Sequence, residues 1–185
     1  MIKSHAHKLN KLKLTYIQYL GSDTADILTR LKLGKTLFGT QLEKCGILDN
    51  PYCATCLREL NEEYPENIAH ATYDCGSVKA VINSVLDAFF PNCNDIFYNR
   101  DILLAIIEDK HHYYSGKIGQ CLASLVWDIF LKYVMTCRSK NRTPVPEICL
   151  HEIKSQINRI LKILPRSEVT NFIHTSPSLS QMFTL

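Results

Sequence analysis

Cys53, Cys56, His70 and Cys75 are spaced as a C-x2-C pair, thirteen intervening residues and then H-x4-C. Two cysteines separated by two residues can both point into one tight turn. A histidine and a cysteine five positions apart can return from a second short element and complete a tetrahedral shell. Three thiolates and one imidazole fill four positions and leave none for water, whereas catalytic zinc keeps one open. The pattern therefore predicts one structural Zn2+. The competing reading makes Cys53 and Cys56 buried thiols and His70 a satisfied core histidine. The surroundings weigh against it, because Asp49-Asn50-Pro51-Tyr52 and the stretch from Arg58 to Glu66 are polar and turn-rich and offer no core for thiols.

Other motifs fail on inspection. The H-x4-C half has the spacing of a retroviral zinc knuckle, but the gap before it is far too long. Gly34-Lys35-Thr36 has the ending of a phosphate-binding loop, yet Thr29 stands where that loop needs a glycine. His111-His112 lacks a partner placed by spacing and reads as a solvated helix end. Trp127 lies among Leu125, Val126 and Ile129 and reads as core rather than a base-stacking platform. Arg138, Lys140 and Arg142 sit at an expected helix C-terminus, where cations favour the dipole. No Tyr/Phe-x-Asp-Asp occurs that could hold polymerase metals, and no H-E-x-x-H or G-x-S-x-G is present. The chain is not expected to be an enzyme by itself.

At 185 residues, with 46% hydrophobic and 21% charged residues, the chain can bury a substantial core. Its net charge of +3 is unevenly spread. Met1 to Gly46 carries 8 Lys+Arg against 3 Asp+Glu, Ile47 to Cys75 carries 1 against 6, and Gly76 to Leu185 carries 12 against 9. The basic first segment suits phosphates, since bound cations release counterions, although a solvated surface would look the same. Glu59, Glu62, Glu63 and Glu66 would repel a polyanion, so the metal site is expected to shape the domain rather than grip nucleic acid. Eight cysteines do not imply disulfides here: no signal segment opens the chain, and Cys93, Cys121, Cys137 and Cys149 fall in apolar helical patterns where free thiols are common. An intracellular protein of the nucleus or cytoplasm, not secreted and not in the membrane, is expected. The most apolar run, Cys121 to Met135, is too short to span a bilayer and is broken by Asp128 and Lys132.

The elements that must position these residues read as helices throughout, giving an all-α expectation. Ser22-Asp23-Thr24 can cap a helix from Thr24 to about Lys32; Gly34 breaks it, and a second helix from Thr36 to about Cys45 ends at Gly46. This helical hairpin delivers the zinc loop. Val78, Val81, Ile82, Val85, Leu86 and Phe89 form one stripe on a helix stopping before Pro91. A short helix is expected from Asp101 to Asp109. The longest, from near Ser115, turns Ile118, Cys121, Leu122, Leu125 and Ile129 inward and ends in the breaker-rich run to Pro144. Pro146 suits a helix start, after which Cys149, Ile153, Ile157, Ile160, Leu161 and Leu164 form a stripe up to Pro165. The expected division is a basic arm (1–21), hairpin plus zinc module (22–90), small helical bundle (91–165) and weakly ordered tail (166–185).

Three runs carry a family resemblance: Leu28-Thr29-Arg30-Leu31-Lys32-Leu33-Gly34; Leu42 to Ile47 with Pro51-Tyr52-Cys53-Ala54-Thr55-Cys56; and Glu66-Asn67-Ile68-Ala69-His70 with Cys75. In order and composition this region, about Asp23 to Cys75, resembles the zinc-binding region that follows the polymerase of non-LTR retrotransposon reverse transcriptases. Lys35, Asn67 and Gly76 depart from that family's pattern without removing a ligand. The resemblance implies a polymerase-associated module of a transposable element, or a truncated copy of one, that engages RNA or single-stranded DNA with low sequence specificity. It implies a polymerase domain in the parent polypeptide as a further partner. Arg30, Lys32, Lys35 and Lys44 on the hairpin are the expected phosphate contacts. A structural zinc-stapled module that docks on another protein is the alternative.

Overall fold

The computed structural model describes residues 22–91, 99–104, 117–175 and 181. The basic arm, Cys93, His111-His112, the second half of the expected short helix and most of the stretch after 175 lie outside the described residues. The fold is all-α, as the periodicity predicts. Its elements are α1 (Ser22–Lys32), α2 (Gly39–Lys44), α3 (Ala54–Leu60), a π-helical turn (His70–Asp74), α4 (Gly76–Phe89), α5 (Asn99–Leu104), α6 (Lys117–Ser139), α7 (Pro146–Ile163) and α8 (Arg166–Thr175). Among the described residues β-pairing is limited to one antiparallel bridge, Tyr52 to Pro65. No helix in this part of the chain is long and apolar enough to cross a membrane.

The first two helices stop as glycine signals require. Gly34 and Gly46 take φ of 65° and 68°. At the first, the N–H of Gly34 donates to Leu31 O and that of Lys35 to Arg30 O; at the second, Gly46 donates to Glu43 O and Ile47 to Leu42 O. Both are Schellman caps, and each supplies donors to carbonyls left over by the helix end. The second helix starts at Gly39 rather than Thr36, because Phe38 is extended and its N–H donates to Gln41 Oε1, fixing the start there.

α6 is the axis of the molecule. Leu125 to Leu131 are buried without a break, so this stretch contacts other elements around its whole circumference. Trp127 is core, as expected: its ring stacks on Phe90 at 5.1 Å and meets the edge of Phe130 at 5.7 Å. α1 and α7 pack against α6, and α4 packs against α7. The stripes read from the sequence on α4 and α7 are the ones buried there, except that Leu86 and Leu164 are only partly covered. Cys121, Cys137 and Cys149 are buried free thiols and Cys45 is an exposed one.

Two corrections to the expected division follow. The boundary at residue 90/91 does not separate two cores, because Leu28 and Leu31 of α1, Val81 of α4, Trp127 of α6 and Ile153 of α7 belong to one buried cluster. The expected weakly ordered tail contains α8, which packs against α6. Pro165 ends α7 for want of an N–H, and its carbonyl then accepts from Val169 N–H in the first turn of α8.

Candidate metal centre

The C-x2-C half is built by a bridge and a helix start. Cys53 N–H donates to Tyr64 O (2.9 Å) and Glu66 N–H donates to Pro51 O (2.7 Å), which clamps 51–53 against 64–66. Cys53 is the N-cap of α3 and Cys56 lies in its first turn, so an i, i+3 spacing brings both sulfurs to one side. The H-x4-C half needs a different device. In an α-helix, residues five apart diverge by about 140°. Here the turn is π-helical, and Cys75 N–H donates to His70 O at 3.0 Å, stacking the two residues. Asn67, a departure from the resemblance, starts this segment: its Oδ1 accepts from His70 N–H at 2.9 Å.

The four side chains converge. All are buried, and their donor atoms lie within 4.8 Å of one another. Metal–sulfur bonds of about 2.3 Å and metal–nitrogen bonds of about 2.0 Å in a tetrahedron set edges of about 3.8 Å for S···S and about 3.5 Å for S···N. The observed Cys56 Sγ···Cys75 Sγ separation is 3.6 Å and Cys56 Sγ···His70 Nε2 is 3.4 Å. The set could therefore hold one metal ion. The surroundings shift the three thiols unequally. A hydrogen bond from Cys75, with help from the Cys56 backbone N–H, His70 and the Arg138 charge, pulls the Cys53 thiol far down. Burial holds Cys56 up, and the hydrogen bond to Cys53 holds Cys75 up. A divalent cation must displace those protons, so metal affinity falls as pH is lowered.

Residues distant in sequence complete the surroundings. Arg138, in the last turn of α6, forms an ion pair with Glu66, and its charge acts on the Cys53 thiol. Its position therefore exceeds what the helix dipole explains, correcting the sequence reading. Three thiolates holding a dication would leave one net negative charge, which the half-buried Arg138 guanidinium would offset. Arg58 of α3 donates to Asn141 O and Oδ1 and to Thr143 Oγ1, and Glu59 accepts from Thr143. The metal loop is thus fastened to the turn between α6 and α7. Tyr64 stacks on the His70 ring at 5.5 Å.

α2 is keyed to the same loop at Gly39. Its N–H donates to Glu66 Oε2 at 3.0 Å, and a Cβ there would lie 2.6 Å from Pro51 O. Gly39→Ala is accordingly expected to force the backbone of 51 away and cost about 1–3 kcal/mol. A urea titration checks it, and wild-type stability would show that the approach is not constrained.

Two of the four hairpin cations expected to contact phosphate, Arg30 and Lys32, are engaged in ion pairs. Lys32 is the clear correction: its Nζ pairs with Asp128, whose side chain is 3% exposed, and the pair is interior rather than available to phosphate. An aspartate inside the fully buried stretch of α6 needs a cation, and Lys32 at the end of α1 supplies it. Arg30 is exposed but paired with Asp26 at 2.9 Å. Lys35 and Lys44 are exposed, beside exposed Leu33, Leu37, Ile47 and Leu48. No protein-family model, curated protein or solved structure matches the chain.

Proposed function

We propose that this chain is a zinc-stapled, non-catalytic helical module that handles nucleic acid, similar to the C-terminal region of a non-LTR retrotransposon reverse transcriptase. The observation that carries the reading is the Cys53–Cys56–His70–Cys75 cluster, buried and close enough for one tetrahedral ion. Three thiolates and an imidazole suit zinc among divalent metals, and the completed shell leaves no site for a reacting water. The ion's role is then to hold α3, the π-turn and α4 together, with Arg138 balancing its charge. The resemblance is supported by how its residues are used: Leu28 and Leu31 are buried, Arg30 is exposed, and the two halves of the ligand pattern meet.

A protein-docking module is the second reading, favoured by the exposed Leu33, Leu37, Ile47 and Leu48. Titration of labelled RNA and single-stranded DNA into the zinc-loaded chain separates the two. Weak, sequence-tolerant binding that declines steeply with salt supports nucleic-acid handling; no binding at low salt supports docking. With Mg2+ or Mn2+ the chain is expected to show neither primer extension nor nuclease cleavage, because its sequence has no Tyr/Phe-x-Asp-Asp and no paired carboxylates distinctive enough for two-metal hydrolysis. Metal-dependent extension by the purified polypeptide would overturn the non-catalytic assignment.

A further inference from the structure

A nucleic-acid module needs a surface for phosphates, and the hairpin has spent two of its four expected cations on Asp26 and Asp128. A different helix offers what the hairpin lacks. From Ile153 to Ser167 the chain carries Lys154, Arg159, Lys162 and Arg166 and no Asp or Glu. All four cations are exposed. The opposite side of α7 is fixed in the core by Cys149, Ile153, Ile157, Ile160 and Leu161, so the charged side cannot turn inward.

Ordinary structural reasons account poorly for this charge. Neither Lys154, Arg159 nor Lys162 has an acidic residue three or four positions away, and Arg159 and Lys162 are like-charged neighbours at i, i+3, which destabilises a helix. The dipole rewards Lys162 in the last turn, but its effect fades before Arg159 and Lys154. Arg166 opens α8, where the dipole opposes a cation. Within its own helices the run therefore has no acidic side chain three or four positions from any of its cations. A polyanion supplies the missing charge, and each neutralised phosphate releases counterions. Ser155, exposed beside Lys154, adds a hydroxyl of the kind that meets phosphate and sugar oxygens.

We infer that the outward face of α7, from Lys154 to Lys162 and continued by Arg166, is the surface that takes the phosphodiester backbone of a polynucleotide. The inference rests on the nucleic-acid reading above and relocates its contact surface from the hairpin. An anionic membrane fits less well. The large apolar residues exposed on α7 are Ile148 and Ile163, which stand about 22 Å apart along the axis at 1.5 Å per residue. An interfacial helix instead buries a continuous apolar face, and that of α7 is already used in the core.

The test uses the full zinc-loaded chain and fluorescein-labelled oligo(dT) and oligo(U), titrated by anisotropy at several salt concentrations. Lys154→Gln/Arg159→Gln/Lys162→Gln is expected to weaken binding roughly tenfold or more at low salt and to flatten the salt slope by about 2, at about 0.7 per contact. Lys35→Gln/Lys44→Gln is expected to leave both nearly unchanged. Zinc content and the thermal midpoint are measured on each variant, since exposed Lys or Arg to Gln changes preserve helix propensity. Wild-type binding that the α7 variant retains, with zinc intact, overturns this surface while leaving the nucleic-acid reading standing. Absence of wild-type binding at low salt overturns both. Wild-type binding to phosphatidylserine vesicles in place of oligonucleotide, lost in the α7 variant, also overturns the inference by naming a different partner.

Discussion

Cys56→Ser and His70→Ala are each expected to abolish stoichiometric metal binding and unfold the region from α2 through the start of α4. The binding free energy of such sites is on the order of 10 kcal/mol and is coupled to folding, so loss of one ligand removes most of what holds the loop. Cys53→Ser and Cys75→Ser should behave alike. The loop's own β-pairing is a single bridge, its outer residues, Glu59 to Glu63, are exposed, and its ties to α2 and to the end of α6 are side-chain hydrogen bonds and one ion pair. Cys45→Ser, at an exposed thiol away from the cluster, should keep full metal content, and so should Cys121→Ser. Elemental analysis with thermal unfolding on each purified variant reads the outcome. A full metal equivalent retained by Cys56→Ser or His70→Ala would remove that residue from the ligand set.

Lys32→Met is expected to destabilise the whole fold by about 3 kcal/mol, because it strands Asp128 as a buried carboxylate without its cation. Lys32 is itself 16% exposed, so water moderates the loss toward the lower end of the range for buried pairs. The double variant Lys32→Met/Asp128→Leu should recover most of it, since replacing both partners removes the desolvation problem along with the attraction. Urea unfolding of the two single variants and the double one gives the coupling directly. A cost below about 1 kcal/mol for Lys32→Met would mean that the pair is solvated. The pair also affects how binding data are interpreted: charge reversal at Lys32 would damage the packing of α1 on α6 and could pass for loss of a phosphate contact.

What the sequence disclosed, and what it withheld, follows from the range of the interactions. Apolar stripes on α4 and α7 are short-range patterns, and they predicted the buried faces of those helices. The positions of Gly34 and Gly46 announced the ends of α1 and α2 for the same reason. Ligand spacing also made the metal cluster legible, though not the π-helical turn by which His70 and Cys75 come onto one side. Pairs such as Lys32 with Asp128 and Arg138 with Glu66 join residues far apart in the chain, and local pattern carries no trace of them. Arg138 looked like an ordinary C-terminal cation for that reason. The one available clue to Lys32 was an aspartate inside the most apolar run of the chain, which required some buried partner without naming it. The expected boundary after residue 90 failed because it was drawn from motif content, whereas α1 and α4 bury their stripes against α6 and α7. The charge run on α7 was visible in sequence, but its exposure became evident only when its opposite face was seen in the core.

The central claim, that Cys53, Cys56, His70 and Cys75 enclose one structural zinc, is tested most directly by X-ray absorption on the purified chain together with its metal stoichiometry. One zinc per chain is expected, with three sulfur scatterers at about 2.3 Å and one nitrogen at about 2.0 Å. Absence of a stoichiometric metal, or a shell containing a bound water in place of one of these ligands, would contradict it.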